Sequence, residues 1–169
     1  LLLACAARAP IPDWSLEATL PPADLGEVFS AQPPELVFEE AVSRREDGDI
    51  RGAIERLSWL RAQGDTSPAV LYQIGVAYEV DEDFESAIGV YDLLLEENPG
   101  EYILDAGFRR GLCLEELGYY DAAYKQYDRI PDGIAFDRHD RYTLDIAKGV
   151  AALRAGRERE GPQMYFCAV

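Results

Sequence analysis

The sequence is poor in the residues that most chemistry needs. Its 169 residues include one histidine, His139, set between Arg138 and Asp140 in a polar stretch. No second ligand stands at metal spacing from it, which fits a surface histidine better than a zinc ligand. No glycine-rich phosphate loop and no nucleophile elbow occur. Asp81-Glu82-Asp83-Phe84-Glu85 begins like a calcium loop. It lacks the glycine at the sixth position and the closing glutamate, so it reads as an acidic turn. The acid pairs Glu39-Glu40, Glu96-Glu97 and Glu115-Glu116 are adjacent, and neighbours on a helix point apart, so they form no acid–base dyads on one face. These gaps predict no enzyme, no metal and no cofactor.

Cations are scarce too. Sixteen Lys and Arg face 32 Asp and Glu, for a net charge of −16. That excludes a binder of phosphate backbones, which needs clustered cations, so nucleic acid is not expected. It favours basic partner segments, or serves solubility alone. The three cysteines carry little signal. Cys113 falls inside an expected helix and reads as a small buried hydrophobe. A Cys113–Cys167 disulfide stays open, because sequence does not show geometry. The apolar start, LLLACAA over 1–7, is far too short to cross a membrane alone. With no methionine in front of it, the sequence reads as starting inside a longer precursor.

What is present is a helical hairpin over Ser67 to Gly100. Ser67 suits an N-cap and Pro68 the first helical position. Leu71, Ile74, Gly75 and Tyr78 share one face at helical spacing. After the acidic break, Asp83 is placed to cap a second helix with Phe84, Ala87, Ile88, Tyr91, Leu94 and Leu95. Asn98-Pro99-Gly100 ends it. Gly75 and Ala87 mark a close approach of two helices, with Tyr78 and Tyr91 filling the space beside them. A lone hairpin of this size cannot cover its own apolar faces and needs a stacked neighbour.

Copies lie at nearly fixed separation. Upstream, Gly75, Ala87, Tyr91 and Leu94 meet Ala41, Ala53, Leu57 and Leu60. Downstream, Gly75, Tyr78, Ala87 and Tyr91 meet Gly111, Leu114, Ala123 and Tyr127. A partial fourth copy sets Gly149, Ala152 and Gly156 against Gly111, Leu114 and Gly118. Gly48, Gly118 and Gly156 share a turn column that accepts positive φ. This pattern resembles the tetratricopeptide repeat, a helix–turn–helix unit of 34 residues. Residues 68–101 fit best, through Ile74, Gly75, Tyr78, Ala87, Tyr91 and Pro99. Residues 104–137 follow, while residues 34–67 depart from the pattern with Glu40 and Arg44. The resemblance implies an all-α fold, a right-handed α-solenoid of about three to four hairpins. Helices are expected at 34–46, 50–62, 68–80, 84–97, 102–117, 120–130 and 140–155. The solenoid would span 34–156, leaving residues 157–169 as a tail.

The N-terminal stretch resembles the end of a bacterial lipoprotein signal peptide, with Leu2, Leu3 and Ala4 before Cys5. That resemblance implies lipidation of Cys5 over residues 1–7 and a protein anchored in the cell envelope, facing the periplasm. Ala6 after the cysteine points to the outer membrane by the enteric rule. A simple secretory signal, leaving a soluble periplasmic or secreted protein, is the alternative. A regulatory repeat portion of a larger protein is another. Residues 8–33, interrupted by prolines 10, 12, 21, 22 and 33, read as a tether in which a short helix fits Ala23–Ser30.

The repeat resemblance also implies that a protein segment binds along the first helices of the units. The inward columns hold Phe38, Val42 and Arg45, then Tyr72, Val76 and Glu79, then Phe108, Leu112, Glu115 and Glu116, and last Ile146 and Val150. Phe38, Tyr72 and Phe108 share one column and read equally as groove or as inter-repeat core. Glu79, Glu115 and Glu116 sit in last helical turns, where the helix dipole disfavours negative charge. A partner that is partly basic and partly apolar would suit such a face. The implied role is a scaffold or adaptor in assembly of a membrane, pilus, secretion or cell-wall complex.

Overall fold

The computed structural model describes residues 29, 32–65, 67–98, 102, 104–131 and 138–157, with only the backbone of 138–140. Seven longer helices and no strands occur among them. They are α1 (Pro34–Glu46), α2 (Ile50–Ala62), α3 (Pro68–Val80), α4 (Phe84–Glu97), α5 (Asp105–Glu116), α6 (Tyr120–Asp128) and α7 (Arg138–Arg154). The principal contacts of each helix are with its neighbours along the chain. The result is a row of antiparallel hairpins, a helical solenoid.

The turns repeat with the sequence. Gly48, Gly118 and Gly156 all have positive φ, near 80°, and Glu82 occupies the same column at φ 60°. Past each of these residues a backbone N–H reaches back five residues to a helix carbonyl. The four bonds are Asp49 to Arg44, Asp83 to Tyr78, Tyr119 to Leu114 and Arg157 to Ala152, at 2.8 to 2.9 Å. This closes the helix C-terminus and aims the chain into the next helix. Asp49 and Asp83 then cap α2 and α4, accepting from the N–H groups of Gly52 (3.0 Å) and Ser86 (3.2 Å). Tyr119 holds that position in the third hairpin and makes no side-chain cap bond. Its helix, α6, ends at Asp128, two residues short of expectation. Ser67 also differs from expectation. It stands at the N-cap of α3 but its side chain makes no cap bond, and its own N–H donates to Asp65 Oδ1 at 2.7 Å.

The core follows the small-residue columns. A Cβ built on Gly75 would lie 2.7 Å from Tyr91 Cζ, and one on Gly111 would lie 2.6 Å from Tyr127 Cζ. Only glycine lets these rings come this close to the facing helix. The first hairpin solves the same contact with Ala41 and Leu57, both buried. Cys113 is a free, buried thiol. Phe29 is helical, buried and edge-on to Trp59 of α2. No helix among the described residues is long and apolar enough to cross a membrane. Cys5, the tether and the tail beyond Arg157 lie outside the described residues, as does the greater part of Ala23–Ser30.

Candidate functional site

The first helices of the hairpins, α1, α3, α5 and α7, carry the expected groove residues. Leu112 and Glu116 are exposed, and Leu112 is 40% accessible although large and apolar. Phe38, Val42, Tyr72, Phe108, Ile146 and Val150 are half-buried. Val76 is buried.

Two carboxylates of the expected groove are engaged inside the fold. Glu79 accepts from the hydroxyl of Tyr91 (3.0 Å) and from Nη1 of Arg109 (2.6 Å), and its side chain is 15% exposed. Glu115 accepts from the hydroxyl of Tyr127 (2.8 Å), and Arg154 lies 3.5 Å away. Each glutamate thus joins the tyrosine of its own hairpin to an arginine of the next. The bonds from the buried tyrosine hydroxyls to these carboxylates contribute about 1.5–3 kcal/mol, more than the few tenths lost to the helix dipole. The helix-end charge is therefore accounted for without a ligand, and Glu116 alone of the three faces solvent. Burial raises the Glu115 carboxyl, and the nearby Glu116 adds to this, against the Tyr127 bond and Arg154. Burial also pushes up the hydroxyls of Tyr91 and Tyr127 and the thiol of Cys113, each helped by an adjacent glutamate. At neutral pH all three stay protonated, so Tyr91 and Tyr127 serve as donors.

At the first interface the chemistry is exchanged. Arg45 and Gln73 occupy the columns of Glu79 and Arg109. Arg45 Nε and Gln73 Oε1 are buried without a partner among the described residues. Arg45 Nη2 stands 3.7 Å from Glu46.

Among the described residues, two cavities lie between these first helices. One, of about 240 Å³, is lined by Pro34, Glu35, Phe38, Glu39, Asp65, Ser67, Ala69 and Val70. The other, of about 260 Å³, is lined by Tyr72, Leu104, Asp105, Phe108, Arg109, Leu112, Thr143 and Leu144. The second unites three expected groove residues, Tyr72, Phe108 and Leu112, whereas Phe38 belongs to the first. Arg109 was not expected there. Its Nε donates to the Tyr72 hydroxyl at 2.9 Å, and its guanidinium carbon lies 5.7 Å from the centre of that ring. Burial opposes the Arg109 charge, but Glu79 and Tyr72 outweigh it and hold it firmly protonated. Tyr102 packs against Tyr72, ring centres 5.7 Å apart. Repeat columns point to these wall residues: Glu35, Phe38 and Glu39 align with Asp105, Phe108 and Arg109.

Five further cations pair across the stack of helices. Arg56 pairs with Glu40, Arg61 with Glu97, Arg110 with Asp92, Lys148 with Asp128 and Arg157 with Asp121. Glu35, Glu39, Asp105 and Glu116 on the groove helices have no ion pair among the described residues. Among the described residues no three His, Cys, Asp or Glu could jointly hold a metal ion.

Residues 69–100 match the tetratricopeptide repeat family. No curated protein matches the sequence. Solved structures similar to this chain include MamA of strain AMB-1, 18% identical, with a TM-score of 0.70 over 86% of this chain and 76% of that one. A second AMB-1 MamA structure is 22% identical, with a TM-score of 0.66 over 90% and 82%. MamA from residue 41 to its end, from Desulfovibrio magneticus RS-1, is 22% identical, with a TM-score of 0.68 over 80% and 73%. The chain thus carries a tetratricopeptide repeat, and its fold is the helical solenoid of these proteins.

Proposed function

We propose that this chain is a protein-binding scaffold whose groove, formed by α1, α3, α5 and α7, grips a partly basic, partly apolar segment of another protein. The observation that carries this reading is the residue of unpaired charge. After the interhelix pairs are made, the groove helices keep exposed carboxylates beside Phe38, Phe108 and Leu112. A stack of hairpins with such a surface and, among the described residues, no assembled set of acid, base and nucleophile suits recognition rather than catalysis. A photo-crosslinking amino acid at Leu112 or Glu116 should join the protein to a partner in cells of its source. The same group at Arg51, exposed on α2, should not. Equal crosslinking from both places would remove the groove from consideration.

In the same reading the scaffold is tethered to a bacterial envelope by acyl chains on Cys5 and serves assembly of an envelope complex. The support is the sequence LLLAC followed by a proline-interrupted tether. An acyl chain gains about 0.8 kcal/mol per buried methylene, so a multiply acylated cysteine would hold firmly. Cells fed a labelled fatty acid should incorporate it into the full precursor and lose it with Cys5→Ser. Unchanged labelling of Cys5→Ser would favour attachment elsewhere, and no labelling at all would favour the soluble alternative.

A further inference from the structure

The two cavities are copies of one site. Pro34, Glu35, Phe38 and Glu39 of the first occupy the repeat columns of Leu104, Asp105, Phe108 and Arg109 in the second. Ala69 and Val70 likewise occupy the columns of Thr143 and Leu144. Both cavities therefore lie between successive first helices, one at the first hairpin interface and one at the third, with an aromatic ring and a carboxylate in matching places. At the interface between them, Tyr72 is packed by Tyr102 and bonded by Arg109.

The copies differ in charge. The first has three carboxylates, Glu35, Glu39 and Asp65, around Phe38, and no cation among the described residues lines it. It suits a Lys or Arg whose stem lies on the ring and whose head reaches the acids. In the second, Arg109 replaces Glu39, and its guanidinium is tied to Tyr72 and Glu79. A second cation would meet a fixed like charge there. Leu104, Phe108, Leu112 and Leu144 supply apolar walls instead.

Resting on the groove reading above, we infer that these two cavities anchor one extended peptide segment. A Lys or Arg enters the first and a Leu or Phe enters the second. Neighbouring helices pack about 8–10 Å apart, so two hairpin steps place the cavities about 20 Å apart. An extended chain covers about 3.3 Å per residue, which separates the two anchors by about six residues.

A phage library of random peptides, long enough to reach both cavities, is selected on the full chain. Enriched peptides should carry a basic and a large apolar residue at that one separation. A synthetic copy of an enriched peptide, measured by fluorescence anisotropy, should bind about tenfold more weakly to Leu112→Glu and to Glu35→Lys with Glu39→Lys. All three positions are exposed, and circular dichroism would verify that the variants fold. Basic peptides with no apolar residue at fixed separation, bound equally by Leu112→Glu, would overturn the paired anchors while the groove reading stands. No enrichment, or peptides indifferent to both variants, would overturn both.

Discussion

Glu82 has left-handed backbone geometry, φ 60°, in a column where the other described hairpins have glycine. A side chain in that region costs about 1–2 kcal/mol, part of which glycine returns as backbone entropy in the unfolded chain. Glu82→Gly should therefore stabilise the protein by about 0.5–1 kcal/mol in urea denaturation. A loss of stability would show that the Glu82 side chain makes a compensating contact. The close contacts of Gly75 and Gly111 act with opposite sign. Gly75→Ala forces a methyl against the Tyr91 ring and should cost about 2–3 kcal/mol. The first hairpin shows the remedy, since Ala41 faces Leu57. Tyr91→Leu added to Gly75→Ala should recover part of the loss, giving a coupling of about 1 kcal/mol or more in a double-mutant cycle. Strict additivity would contradict the steric account.

The paired networks act at the scale of elements, because each glutamate ties three helices. Glu115 joins α5 to Tyr127 of α6 and lies near Arg154 of α7. Its carboxyl titrates above the usual range, chiefly through burial. The folded protein thus holds this proton where the unfolded chain has released it. Stability from Glu115 is full below the ordinary glutamate value and is lost as pH rises through the folded one. Glu115→Gln removes the titration and keeps an acceptor for Tyr127. The variant should gain on the wild type as pH is raised from about 4 to about 7 in parallel urea titrations. A constant difference would mean that Glu115 titrates normally. The glycine–tyrosine contact also sets an expectation for the sequence that follows α7. Tyr91 and Tyr127 each follow their glycine by sixteen residues, and Tyr165 follows the buried Gly149 at the same distance. Tyr165 lies outside the described residues. Tyr165→Ala should cost about 2–3 kcal/mol if the contact recurs. A cost near zero would confine the rule to two hairpins.

For the whole molecule, two electrostatic effects compete. Interhelix ion pairs favour the fold, yet most have a partly exposed member, which limits each to about 0–1 kcal/mol. Against them stands a net charge of −16, whose self-repulsion opposes a compact chain. Salt screens both, and the Debye length falls from about 30 Å at 0.01 M to about 10 Å at 0.1 M. The pairs are short and the repulsion is long-range, so the repulsion is screened first. Tm should rise by several degrees over that range. A fall would mean that the pairs outweigh the net charge.

The repeat register was written in the sequence because it is a property of local order. Small residues at 41, 75 and 111, turn glycines at 48 and 118 and the capping acids Asp49 and Asp83 each act within one hairpin. Their separations alone placed seven helices to within a few residues. The groove was less legible. Periodicity says which column faces inward, but not whether a side chain there meets solvent or a neighbour. The column pattern assigns Glu79 and Glu115 to the groove, yet long-range contacts with Tyr91, Arg109 and Tyr127 occupy them. Arg109 drew no notice in the sequence, because its partners belong to the preceding hairpin. The chain order determined the hairpins, since helix and turn depend on residues close along the backbone. The stacking of one hairpin on the next decided which charges remained free, since pairing depends on residues brought close only in space.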